Sequence, residues 1–264
     1  MAGSGEFRVG QVIRETFRIA RLNFWGFFLV ALVTVEVPKW GGPVLLAPAI
    51  ATFQRAAIAG QDFPALSFLH GFALGAAPSL VAQLGLILVT GMVVRAATDD
   101  FAGRAAGFGP CLRTGLATFA GNLALTVLYY LCFLLGLVLL VVPGLTLSCM
   151  WVVILPVYVA ERGPVLSAFG RSRALTKDCR WRIFGLTLLY GLLVGGGLGF
   201  LSGLAKGLAS KGVPSGIVLS VQVVAALLGG AIAVVSAAGV TAIYIKLRQA
   251  KEGTLSADLV EAFA

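Results

Sequence analysis

Few residues in this chain are of a type and spacing that could carry out chemistry on a substrate. His70 is the only histidine, so a histidine metal site or a Ser-His-Asp triad has almost no material. The four cysteines, Cys111, Cys132, Cys149 and Cys179, contain no Cys-x-x-Cys pair and read as small buried hydrophobes. No His-Glu-x-x-His, phosphate-loop or Gly-x-Ser-x-Gly pattern occurs, although these are the arrangements that hold zinc, cradle phosphates or expose a nucleophilic serine. Asp99-Asp100 is the one adjacent carboxylate pair. It suits a cation or a headgroup, but reads first as a solvated turn at a membrane edge. The chain therefore reads as non-enzymatic, with no metal and no cofactor. An intramembrane enzyme around Asp99, Asp100 or His70 is the catalytic alternative.

The residues with most to offer are basic. The segment 161–182 reads ERGPVLSAFGRSRALTKDCRWR. On a helical wheel Val165, Ala168, Phe169, Ser172, Leu175 and Cys179 form an apolar stripe. Arg173, Lys177 and Arg180 flank it on one side, Arg171 and Arg182 on the other. This spacing predicts an amphipathic helix over 164–182 lying on a membrane surface, with Pro164 in its first turn. Each such cation near an anionic surface contributes about 1 kcal/mol. Arg171, Arg173, Lys177, Arg180 and Arg182 are thus candidates to hold anionic phospholipid headgroups or an acidic membrane-protein partner; plain anchoring of the inner face is the simpler role.

The elements that must position these residues follow from composition. Of 264 residues 59% are hydrophobic and only 12% charged, about half the ~25% charge of a soluble domain. Water could not solvate such a surface, and disorder needs the opposite composition. The net charge of +9 then points to the anionic face of a bilayer rather than to nucleic acid. The fold class expected is an all-α polytopic membrane protein forming one membrane domain. Its spans fall at about 22–41, 78–94, 119–141, 145–160, 183–204 and 216–245. Residues 7–21 form an amphipathic helix along the headgroups. The stretch Pro38–Pro43 breaks the first helix, and 44–59 is interfacial or re-entrant. Pro143-Gly144 makes a tight turn, and the fourth span is short and kinked near Pro156. No cleavable leader is visible, so the first span serves as the insertion signal.

Charge sets the orientation. With six spans and an inner N-terminus, only Lys39, Arg55, Lys206 and Lys211 of the 20 lysines and arginines lie outside, a strong positive-inside bias. A seventh span at 44–59 would put the later basic clusters outside. Both termini are therefore expected on the cytoplasmic face. Basic stretches at 7–21, 104–118 and 164–182 each precede an outward-going span, a weak threefold rhythm.

Small residues recur at four-residue spacing. Gly191, Gly195, Gly199, Gly203 and Gly207 mark one ladder; Ala225, Gly229, Ala233, Ala237 and Thr241 mark another. Lipid is as apolar as leucine, so helices associate where small residues let backbones approach. The two ladders are expected to pack against each other. Glu36 and Lys39 are spaced to pair near the outer end of the first span. Gln83, Asn122 and Gln222 are expected to bond between helices.

The string LLVVPGLTLSCMWVVILPVYVAERGPVLSAFGRSRALTKDCRWRIFG resembles the YciC-like inner-membrane proteins and the membrane domain attached to some glycerophosphoryl diester phosphodiesterases. The resemblance rests on Pro143, Gly144, Glu161, Gly163, Pro164, Ala168, Ser172, Leu175, Thr176, Lys177 and Trp181, with FRVGQVIRETFRIARLNFW similar to the family's opening helix. It implies a multi-span bacterial inner-membrane protein. It does not imply phosphodiesterase activity, which belongs to a separate soluble domain. The expected role is a lipid-contacting or partner-organising module. The alternative is a channel, facilitator or transporter for a small solute or lipid, with a polar path at mid-depth beside the glycine-lined fifth span.

Overall fold

The computed structural model describes residues 9–58, 65–139 and 141–252. Its regular elements are all helical, with no strand among the described residues. In chain order they are α1 (Val9–Arg21), α2 (Phe24–Ala31), a π-helical turn (Leu32–Glu36), α3 (Val37–Ile58), α4 (Ala65–Phe101), α5 (Phe108–Ala117), α6 (Phe119–Leu139), α7 (Val141–Met150), α8 (Ile154–Glu161), α9 (Val165–Thr176), α10 (Arg180–Ser210) and α11 (Ser215–Glu252). Six helical stretches are long and apolar enough to cross a membrane: Phe24–Gly42, Ala76–Phe101, Phe119–Val138, Gly144–Glu161, Arg180–Ser210 and Ser215–Glu252. The chain is an all-α, multi-pass membrane protein.

Burial is distributed as hydrocarbon solvent requires. Leu193 is 68% and Phe200 71% exposed on α10, which would be untenable in water. The tight core lies where α1, α4, α8 and α11 meet, around Ile19, Phe27, Met92, Val157, Tyr244 and Leu247.

Several boundaries differ from the sequence expectation. The prolines of Pro38–Pro43 do not break the first helix, which runs on through α3 to Ile58. The π turn explains this. Val37 N–H reaches back to the Leu32 carbonyl, so the ladder is already widened where Pro38 withholds its N–H. Residues 44–58 consequently continue the helix of the first span, and α4 begins at Ala65, well before the expected 78. Asp62 lies outside the described residues, as does the side chain of His70. Pro143 and Gly144 sit inside α7, so they do not form the tight turn expected there. A proline in a helix's first turn costs no hydrogen bond. Gly144 instead provides close approach: a Cβ there would lie 3.2 Å from the Leu137 Cα. The fourth span bends at 151–153, which places Pro156 in the first turn of α8.

The basic helix is also shorter than 164–182. It ends at Thr176, and Arg180 and Arg182 belong to the first turn of α10. Helix α1 packs on the bundle through Val12, Thr16, Ile19 and Ala20, with Thr16 against Gly239 of α11.

The predicted packing of the two small-residue ladders is not found. Gly191, Gly195, Gly199, Gly203 and Gly207 are exposed, and a Cβ at any of them would meet nothing within 4 Å. At 3.6 residues per turn, four-residue steps drift, so five glycines fan over about 160° of a straight helix. Helix α10 turns another face inward, with Ile183, Tyr190 and Ala205, and Tyr190 hydrogen-bonds Ser236 of α11. On α11 the small residues Ala225, Gly229, Ala233 and Ala237 are buried, but what approaches Gly229 is the Glu36 carboxylate, with the Phe28 ring over Gly230. Glu36 is 2% exposed; it accepts from Trp40 Nε1 at 2.9 Å and pairs with Lys39 at 3.6 Å. Asn122 bonds within its own helix, to Thr118 Oγ1 at 3.5 Å, rather than across helices.

Candidate functional site: the basic end of the bundle

One end of the bundle gathers most of the charge, and cross-links between distant segments define it. Arg18 of α1 pairs with Asp100 at the end of α4 at 3.2 Å and lies 4.6 Å over the Phe101 ring. Asn23 Nδ2 donates to the Ala106 carbonyl in the loop before α5. Lys251, at the end of α11, donates to the Ala174 carbonyl at 2.6 Å and pairs with Asp178 at 3.5 Å. The ends of α1, α4, α8, α9 and α11 and the starts of α5 and α10 therefore meet at one level.

Within this end, Asp99 and Asp100 do not act together. Asp99 takes Arg95 at 2.8 Å and Arg104 at 3.6 Å, while Asp100 takes Arg18. The Arg104 N–H bonds the Asp99 carbonyl at 2.9 Å and closes the turn after α4. Among the described residues no three His, Cys, Asp or Glu side chains come together as a metal-ligand group.

Cys111 is buried in α5 beside this cluster. Burial, and then the charge of Asp99, push its thiol up to about 11, against an opposing pull from Arg95. A raised acid pKa keeps the proton on in the folded state. Between its ordinary 9.0 and about 11 only the unfolded chain loses that proton, so this contribution to stability falls as pH rises through the window. At pH 8 the thiolate population is about 100-fold below that of a free cysteine. Iodoacetamide at pH 8 should accordingly leave Cys111 unmodified in micelles and modify it after denaturation, read by peptide mass spectrometry.

The expected headgroup residues divide. Arg171 is turned inward: its Nε sits 3.0 Å from Glu161, and its far nitrogen pairs with Glu252. Burial works against its charge, but the hydrogen bonds and charges of Glu161 and Glu252 outweigh that and hold its pKa above the usual arginine value. Glu252 also takes Arg248 at 2.9 Å, and Arg248 donates to the Tyr244 hydroxyl at 3.2 Å. Arg171 thus serves as a clasp joining α8, α9 and α11. Arg173, Lys177 and Arg182 are exposed, and Arg180 is half-buried.

A polar cavity of about 790 Å³ opens on the same end. Arg95, Arg113 and Arg162 line it, with Tyr158, Thr114 and Thr118. Three local features build it. Helix α5 runs close along α4, where a Cβ on Gly91 would come 3.0 Å from the Gly115 Cα. The chain bends at Thr118, whose Oγ1 donates to the Thr114 carbonyl at 2.9 Å, a back-bond that bends helices. Helix α8 then delivers Tyr158 against Gly121, which has no side chain to block it. Arg162 caps α8 with φ +47°, a left-handed conformation that glycine adopts far more easily. Sequence reading counted these arginines as inner cations but did not group them, because they stand on three separate elements. The one local signal was that Arg95 and Arg113 each lie within two turns of a span's end.

A second cavity of about 450 Å³ is apolar and lies between α1, α10 and α11, walled by Ile13, Phe17, Leu186, Leu189 and Ile243. No family model matches the chain, and no curated protein or solved structure matches it.

Proposed function

We propose that this is a non-enzymatic protein of a bacterial inner membrane, related to the YciC-like proteins, which contacts anionic phospholipid headgroups through its basic end. In this reading that end faces the cytoplasm, together with both termini. The observation that carries the reading is the convergence of basic residues from α1, α4, α5, α9, α10 and α11 at one end, held by the Arg18–Asp100, Arg171–Glu252 and Lys251–Asp178 pairs. Lys39 lies near the start of α3, and Lys206 and Lys211 lie at the end of α10 opposite Arg180 and Arg182. Segregated cations of this kind are what the anionic inner leaflet attracts. The facilitator alternative asks for a polar path beside α10; the cavity bordering that helix is lined mainly by apolar side chains, with Thr16, Thr187, Tyr190 and Ser236 among them.

Two measurements test this. Lys177→Cys should react with a membrane-impermeant maleimide only in inverted vesicles, and Lys211→Cys only from outside, each read above the parent's background. Purified in a neutral detergent, the parent should retain phosphatidylglycerol severalfold over phosphatidylcholine in native mass spectra. Labelling of Lys177→Cys from outside would refute the orientation; equal retention of the two lipids would refute headgroup selection.

A further inference from the structure

The basic end holds many cations, but most are spent on internal pairs or spread over open surface. The cavity between α4, α5 and α8 differs on three counts. It gathers three guanidinium groups, Arg95, Arg113 and Arg162, around a single volume. Arg113 forms no ion pair with any described residue, although Arg95 is held by Asp99. The cavity also presents neutral hydroxyls, those of Tyr158 and Thr114, as further donors. Guanidinium forks with added hydroxyl donors match the oxygens of a phosphoryl group, which accepts several charge-assisted hydrogen bonds at once.

The Arg162 backbone is an independent indication. At φ +47° a residue with a Cβ is strained relative to the ordinary helical region, and glycine at this cap would relieve it. A strained arginine at the mouth of a cavity lined by two other arginines is better accounted for by what its side chain does than by the turn it makes.

Depth agrees with this. Arg113 lies six residues before Phe119, where the third candidate span begins. Arg95 likewise lies six residues before Phe101, where the second candidate span ends, so both arginines stand close to a span end.

We propose that the Arg95, Arg113 and Arg162 cavity binds a phosphoryl oxyanion, supplied either by an anionic glycerophospholipid or by free inorganic phosphate. The Arg95–Asp99 pair fixes one wall, Arg113 provides the cation that meets the ligand, Arg162 adds positive charge to the lining, and Tyr158 donates from the floor. This deepens the headgroup-contacting reading and rests on it for the lipid source.

The experiment uses the full chain in neutral detergent, with phosphatidylglycerol and inorganic phosphate as the probes. Native mass spectrometry follows bound phosphatidylglycerol for the parent, Arg113→Gln, Arg162→Gly and the double variant Arg173→Gln/Lys177→Gln. Arg113→Gln alters an exposed side chain and Arg162→Gly relieves strain, so both should unfold no earlier than the parent when followed by circular dichroism. Losing charge-assisted bonds from one guanidinium should weaken phosphatidylglycerol binding about tenfold or more, a larger loss than in the double variant. Millimolar inorganic phosphate is then added as competitor. Displacement assigns a site open to the free anion, and persistence assigns a lipid site; either supports a phosphoryl site. Binding by Arg113→Gln and Arg162→Gly equal to the parent's overturns the cavity assignment. So does an equal loss across all three variants, which would leave the general headgroup reading standing. A parent with no preference for phosphatidylglycerol, but with Arg113-dependent binding of inorganic phosphate, would sink the headgroup reading and keep the cavity.

Discussion

Replacing Gly85 with alanine should destabilise this protein strongly, because the added methyl would meet backbone rather than a movable side chain. A Cβ at Gly85 would lie 2.6 Å from the Thr34 carbonyl carbon and 2.7 Å from its Oγ1. Backbone cannot step aside as a flexible side chain does. Thr34 is fixed twice over, since its Oγ1 bonds the Val30 carbonyl at 2.7 Å and its own carbonyl stands four residues before Pro38, which has no N–H to offer it. The close face of α4 therefore covers a carbonyl that cannot take the usual bond from the residue four ahead, and Cα–H groups recur in such contacts at helix interfaces. Overpacking of this kind costs about 1–3 kcal/mol, or a fall in Tm of order 5 °C for a chain of this size. Thermal unfolding in micelles by circular dichroism is the measurement, with Gly195→Ala as its control. Gly195 has nothing within 4 Å of a Cβ, and alanine's helix propensity should leave its Tm unchanged or higher. An unchanged Tm for Gly85→Ala would mean that α4 does not approach the π turn as described.

The second large effect is expected from Arg171→Ala. It removes the cation that joins Glu161 of α8 to Glu252 of α11 and leaves two carboxylates facing each other. A fully buried pair broken in this way costs about 3–5 kcal/mol. Arg171 is 32% exposed, so screening reduces this to about 1–3 kcal/mol. Arg173→Ala, two residues on and exposed, should cost under about 0.5 kcal/mol. The loss at Arg171 should be partly recovered in Arg171→Ala/Glu161→Gln, since the second change removes the uncompensated charge. Equal stability for Arg171→Ala and Arg173→Ala would show that Arg171 faces the membrane surface rather than the clasp.

The sequence by itself determined the solvent. Runs of apolar residues long enough to cross a bilayer, with 12% charge overall, leave the chain no other way to satisfy its backbone than helices in hydrocarbon, and six such helices are present. Hydropathy is a sum over neighbours in the chain, so it can be read without knowing the fold. Local pairs at helical spacing were legible for the same reason, as Glu36 with Lys39 shows. Where spacing had to stand for contact, it failed. The glycine ladder of α10 suggested an interface, but which face turns inward is decided by what the neighbouring helices present, and Tyr190 and Ala205 won that face. The prolines at 38–43 suggested a break, because nothing local reveals that a π turn widens the ladder ahead of them. Arg171 resembled its exposed neighbours until Glu252, 81 residues away, closed on it. The arginine cavity was hidden on the same grounds: Arg95, Arg113 and Arg162 become one site only when α5 lies along α4 and α8 folds back beneath them. Long-range convergence of charge is a property of packing, and only the tertiary structure fixes it.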